Sequence, residues 1–183
     1  GSKKYLHLGE LLEPDKNIFL RVSNFDLVTL RGIEDDTVLY KDLLFNGISE
    51  NFYDNGVQMC EIHYKDGKKD GLETDWYDNG RQSKIIHWKS GKKDGLQMEW
   101  DEAGTLIEKR FWKANNPYGI TTSWYGKDRK WYELTYFNGK LNGQCTYWYA
   151  SNDMSSNQPR EDGIWRDGYP WSVEVWKPNG EKC

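Results

Sequence analysis

Gly47, Gly71, Gly95, Gly119 and Gly143 stand 24 residues apart, and this interval constrains the fold more than any other feature of the chain. A fixed period of this length marks an array of like units, each burying its apolar side only against its neighbours. Five positions after each glycine comes a ring: Phe52, Trp76, Trp100, Trp124 and Trp148. The next position holds Tyr53, Tyr77, Asp101, Tyr125 and Tyr149, and the second half of the unit ends on Tyr64, Trp88, Trp112 or Tyr136.

Each unit decodes as a β-hairpin. One strand runs over about residues 72–77, Asp78-Asn79-Gly80 turns the chain, and a second strand runs over 81–89. Asn-Gly and Asp-Gly between alternating segments are strong hairpin signals, because glycine accepts φ > 0 without steric cost. The stretch Ser90-Gly91-Lys92-Lys93-Asp94-Gly95 then leads into the next unit. A two-residue turn on Asn79-Gly80 would separate the rings of Trp76 and Trp88. A three-residue loop with Gly80 left-handed sets Trp76 opposite Gln82 and predicts that Trp76, Thr74 and Leu72 share a face with Ile86 and Trp88. A half-buried sheet favours the second arrangement, so one ring-rich face is expected.

Composition agrees with strands. Apolar residues make up 37% of the chain but aromatics 15%, which suits a thin sheet covered by rings better than a thick aliphatic core. The 18 glycines fit turns. A formal charge of −4 argues against a dedicated nucleic-acid binder, whose footprint would be a basic face, and leaves a basic protein partner open. Cys60, Cys145 and Cys183 follow no metal or redox spacing, and an odd number argues against a disulfide framework. No run of 18 apolar residues offers a membrane-spanning helix. Gly1-Ser2 read as a cloning scar; the chain is expected to be cytoplasmic, with a trimmed signal peptide left open.

The phase sets the boundaries. Tyr40-Lys41-Asp42 matches Tyr64-Lys65-Asp66, so a half-repeat covers 33–46 before units starting at 47, 71, 95, 119 and 143. Trp165-Arg166-Asp167-Gly168 falls back into phase only after an insertion, placed in the loop 151–161, and a last half-unit covers 171–180. Residues 3–32 lack the motif; the alternating stretches 17–23 and 25–31 predict strands of an N-terminal cap, which repeat arrays need at their ends. The expected fold is all-β: an elongated, twisted antiparallel sheet of stacked hairpins over 33–180, with a short β cap.

The pattern G-x-x-x-x-W-Y-D-N-G, followed by a strand ending Y/W-K-x-G-K-K-D, resembles MORN repeats, and most closely the bacterial variant whose members are often antitoxin-like. The resemblance covers roughly Ile33–Gly180. The fourth unit departs from it: Asn115-Asn116-Pro117-Tyr118 replaces the K-K-D-G approach, and Tyr125-Gly126-Lys127-Asp128 replaces Y-D-N-G. The resemblance implies an elongated, twisted antiparallel sheet. For function it implies a scaffold, a membrane-associated module or the partner of a neighbouring toxin.

Candidate sites follow from the columns. Rings in neighbouring units pack on one another as the fold's own core, while units with odd rings face a ligand. Trp131, Tyr132 and Phe137 break the polar pattern of their columns, and Trp165, Tyr169 and Trp171 cluster near the insertion. Trp124, Trp131, Tyr136, Trp148, Trp165 and Trp171 are therefore the expected anchors for a partner protein, a toxin or effector for an antitoxin or immunity protein. Lys68, Lys69, Lys92 and Lys93 are the candidate contacts of the alternative reading, a peripheral module on an anionic membrane; the simpler account makes them solvated turns. A cell-wall or glycan-binding repeat is a third reading. His63 and His87 share a phase, but one intervening strand puts their backbones about 10 Å apart, and Phe111 and Thr135 end the column. No catalytic or metal-ligand pattern stands out. The chain is thus read as non-enzymatic, without cofactor, as a monomer or homodimer.

Overall fold

The computed structural model describes residues 20–23, 27–31, 36–41, 43–150 and 159–183. The expected cap strands fall partly outside these residues, as does most of the insertion. Among the described residues the chain forms strands and turns without a helix. The strands are β1 (Leu20–Ser23), β2 (Val28–Arg31), β3 (Asp36–Tyr40), β4 (Leu43–Leu44), β5 (Gly47–Phe52), β6 (Gln58–Lys65), β7 (Lys68–Trp76) and β8 (Gln82–Lys89). They continue as β9 (Lys92–Trp100), β10 (Leu106–Lys113), β11 (Asn116–Pro117), β12 (Gly119–Gly126), β13 (Arg129–Phe137), β14 (Lys140–Trp148), β15 (Pro159–Arg166) and β16 (Tyr169–Val175).

One long sheet runs β1-β5-β6-β7-β8-β9-β10-β12-β13-β14-β15-β16, with the short β11 against β10. From β5 to β16 every neighbour is antiparallel, as consecutive hairpins require. The first strand differs from expectation: β1 pairs with β5 in parallel, Leu20 opposite Gly47. Parallel pairing needs a crossover, and the chain between these strands supplies it as a second, three-stranded sheet β2-β3-β4. Phe45, which follows that sheet, and Val38 of β3 pack with Val22, Ile62 and Tyr64 into one buried cluster.

Two kinds of turn alternate along the sheet. At one end, Asp66-Gly67 (φ 50° and 73°) and Ser90-Gly91 (47° and 78°) are left-handed at both positions, the two-residue geometry that matches strand twist. Lys92 and Lys93 are therefore not turn residues, as their sequence position suggests, but the first residues of β9. At the other end, Gly80 (φ 81°) closes a three-residue loop, Tyr77 and Arg81 are joined by a 2.8 Å backbone bond, and Trp76 stands opposite Gln82. The bulged loop read from the sequence is the one observed.

The expected single ring-rich face is not. Directly after the Trp76–Gln82 pair, Asp75 stands opposite Lys84, leaving Ser83 as an extra residue in β8. The same bulge recurs at Met59, Ile107, Trp131 and Arg160. One extra residue flips every side chain beyond it. Gly71, Glu73 and Asp75 thus share a front face with Lys84, Ile86 and Trp88, while Leu72, Thr74 and Trp76 turn to the back with Ile85 and His87. Trp76 and Trp88 lie on opposite sides of the sheet. Thr122 pairs with Glu133 on that back face; Lys130 contacts Glu133 at 2.6 Å and covers the Trp148 ring at 5.4 Å, which places Trp148 there as well.

The 24-residue glycine has its reason in this geometry. Each one stands opposite the ring that closes a unit: Gly47–Tyr64, Gly71–Trp88, Gly95–Trp112, Gly119–Tyr136 and Gly143–Trp165. Gly71 takes φ 108°, and a Cβ there would lie 3.1 Å from Cβ of His63 in the preceding unit. Only glycine meets both conditions without strain.

Beyond the Phe45 cluster, a buried row runs along the middle of the front face. Ile62, Glu73, Ile86 and Gln97 stand side by side on successive strands, and Thr121, Leu134, Cys145 and Gly163 continue the row. Cys145, Thr121, Ile86 and Gln97 are at most 5% exposed. Burying the two isoleucines contributes roughly 1.5–3 kcal/mol each.

Candidate interaction surface

Neighbouring units are tied by tyrosine hydroxyls. Tyr53 donates to the carbonyl oxygen of Trp76 at 2.8 Å, Tyr77 to that of Trp100 at 2.7 Å and Tyr149 to that of Trp176 at 2.7 Å. The loop asparagines repeat the tie: Asn55 donates to the carbonyl of Asp78, and Asn79 to that of Glu102. The W-Y-D-N-G string is thus a joint between hairpins rather than a docking motif.

The column breaks at the fourth unit. Gly126 pairs with Arg129 across a shorter turn, and Tyr125 packs on Trp131 instead of on the next unit's backbone. Trp131 occupies the bulge held by Ser83 and Ile107 in earlier units, where the chain turns its side chain to the front beside Tyr132. Its ring lies 5.6 Å from Tyr125 and 5.2 Å from Tyr132, and Tyr132 continues to Tyr147 at 6.1 Å. Arg160, the bulge residue of β15, covers Tyr147 at 5.5 Å. Trp131 remains 43% exposed, so this corner is open to solvent. Burial pushes the Tyr132 and Tyr147 hydroxyls up, with Glu108 adding to the first and Cys145 to the second. Both stay protonated donors at neutral pH, and Tyr132 contacts Glu108 at 3.1 Å.

The six anchors expected from the sequence are not one patch. Trp131 belongs to the corner. Tyr136 and Trp165 lie on the front face in the cluster of Leu134 and Cys145, with Trp165 only 8% exposed. Trp124 and Trp148 are half-buried on the back. Trp171 is 66% exposed and stacks under the Arg166 guanidinium at 4.1 Å. Tyr125 escaped the sequence reading because its column looks regular, Arg160 because it falls in the stretch read as the insertion loop, and Tyr147 although it is the one ring in the polar column of Asn51, Asp75, Glu99 and Ser123. For Tyr125 the signal was the loss of D-N-G after it, which removes the joint.

The lysines divide. Lys69 covers the Trp88 ring at 4.7 Å and pairs with Glu73 at 2.5 Å. Lys93 covers Trp112 at 4.8 Å and reaches Gln97 at 3.3 Å; burial, helped by Lys84 and Arg110, pushes its ammonium down. Lys92 is exposed and Lys68 half-buried beside a crevice of about 440 Å³ lined by Lys65, Asp66, Lys68, Asp70, Lys89 and Ser90. Asp70 accepts from the backbone N–H of Ser90 there, so the edge carries both signs. Among the described residues no His, Cys, Asp and Glu group is arranged to hold a metal. His63 contacts Glu61 at 3.3 Å, and Nδ1 of His87 the carbonyl of Leu96 at 2.8 Å.

The hairpin β5–β6, with Gly47 opposite Tyr64 and the joint tyrosine at its loop, is the regular form of this unit. Residues 45–66 match the family described as MORN repeat variant. No curated protein matches the chain. MORN repeats generally act as protein- or membrane-interaction modules and are generally non-enzymatic, which fits a sheet whose rings and charges join one hairpin unit to the next.

Proposed function

We propose that this chain is a non-catalytic interaction module that docks a partner protein on its front face, with the Tyr125–Trp131–Tyr132–Tyr147 corner as the anchor. The observation that carries the reading is Trp131: a large ring, held by two neighbours and left 43% exposed where the repeat places smaller residues. Exposed aromatic clusters of this kind supply most of the energy of protein interfaces. Inhibition of that partner, as by a cytoplasmic antitoxin or immunity protein, is the form of the function that the sequence resemblance favours. The lysine-edge alternative has less support, since Lys69 and Lys93 are engaged with indoles and the crevice is balanced by aspartates.

The test is copurification of the chain with the polypeptides encoded beside its gene, followed by titration of any binder against Trp131→Ala. A loss of roughly 2 kcal/mol or more in binding, with an unchanged melting temperature, supports the proposal. Unchanged affinity removes the corner as the anchor. Sedimentation with vesicles containing phosphatidylserine at low salt, abolished by Lys68→Ala/Lys92→Ala but not by Trp131→Ala, would replace it with the membrane reading.

A further inference from the structure

A second feature of the front face lies three units away from the corner, between the joint tyrosines Tyr53 and Tyr77. It is an open cleft of about 440 Å³, lined also by Met59, Cys60, Glu73 and Asp75. The tyrosine hydroxyls are committed to the carbonyls of Trp76 and Trp100, so a ligand meets the rings as walls.

Three other carboxylates near rings are matched by a cation from the chain itself. Lys69 joins Glu73 to Trp88, Arg110 joins Glu108 to Trp112, and Lys130 joins Glu133 to Trp148. Asp75 has no such match. It is half-buried, and among the described residues it makes no hydrogen bond or ion pair. The cations nearest to it are used: Lys84, opposite in register, has its ammonium 3.7 Å from Glu99, and Lys69 is paired with Glu73.

We infer that this cleft receives the guanidinium of an arginine side chain from a partner polypeptide, which stacks between Tyr53 and Tyr77 and pairs with Asp75. The inference rests on the reading of the chain as a protein-binding module. A guanidinium suits the place better than an ammonium because it is planar, sheds water more readily and presents paired donors to a carboxylate. Aromatic walls add cation–π attraction. Burial, reinforced by Glu73, pushes the Asp75 carboxyl up, as expected for a charge whose surroundings undercompensate it.

The experiment uses the full chain and acetylated tetra-arginine amide as probe, with binding measured by calorimetry and the contact located by amide shifts in NMR spectra. Saturable binding that shifts Tyr53, Cys60, Asp75 and Tyr77, and that weakens by about tenfold in Asp75→Asn but not in Asp75→Glu, bears the inference out. Glu102→Gln, at an exposed turn, reports attraction to the acidic protein as a whole and leaves binding unchanged. So does Trp131→Ala, which removes the corner; failure of the cleft and failure of the corner are therefore separable. Equal binding by wild type and Asp75→Asn, or none at millimolar peptide, overturns the inference. Equal affinity for acetylated tetra-lysine overturns the choice of guanidinium.

Discussion

The hydroxyl of Tyr77 donates to the carbonyl oxygen of Trp100 at 2.7 Å, joining two hairpins across 23 residues of sequence. A half-buried bond of this kind contributes about 1 kcal/mol. Tyr77→Phe is expected to lower stability by that amount in urea unfolding. Tyr125→Phe removes a hydroxyl from the same column where no such joint exists, and is expected to change stability by less than about half as much.

Gly163 sits in the core row with an extended backbone, so its constraint is steric. A Cβ there would lie 2.2 Å from the carbonyl oxygen of Ser172 and 2.8 Å from Cα of Val173. Both are backbone atoms of β16, which cannot swing aside as a side chain does. Gly163→Ala is expected to cost about 1–3 kcal/mol or more and to push β16 away from β15. Amide hydrogen exchange should show protection lost along β16 and retained in β6–β9.

Asp75 couples stability to pH in the unusual direction for a carboxylate. Its folded pKa is raised, chiefly by burial and then by Glu73, against the ordinary 3.8. Protons are held more tightly by the folded state, so the stability it contributes is complete below that value and lost as pH rises through the raised one. Lys69, Lys84 and Glu99 also face the group. Asp75→Asn, which cannot ionise, is expected to melt higher than wild type at pH 7, with the gain shrinking toward pH 3. A gain of equal size at both pH values would place the effect in packing.

Cys145 is fully buried in the cluster with Leu134 and Trp165, and burial pushes its thiol up. Cys183 is exposed. With an aromatic disulfide reagent at pH 8, Cys183 should react in the folded protein and Cys145 only at the rate of unfolding. Fast labelling of Cys145 would mean that the front-face row opens without global unfolding.

Much of the fold is present in the periodicity itself. The glycines at 24-residue spacing, Asp-Asn-Gly loops and closing rings specify consecutive antiparallel hairpins, because each is a local demand of backbone conformation. Even the Trp76–Gln82 pairing follows from the loop. What strand periodicity alone left open was the side of the sheet. The bulge at Ser83 and its counterparts carries no fixed residue type: methionine, serine, isoleucine, tryptophan and arginine all occupy it. That single uncounted residue sends Trp76 to the back and Trp88 to the front, which divided the expected ring face in two.

The candidate sites were legible only in part, and for the same reason. Trp131 stood out as an odd ring, but its placement beside Tyr125 and Tyr132 depends on the bulge and on the lost joint. Lys69 and Lys93 looked like solvated turn lysines until pairing put them over the indoles of the adjoining strands. Residue types and their spacing are one-dimensional and set the hairpins. Which cation meets which carboxylate, and which ring stays open, depends on register between strands, which the tertiary structure alone decided.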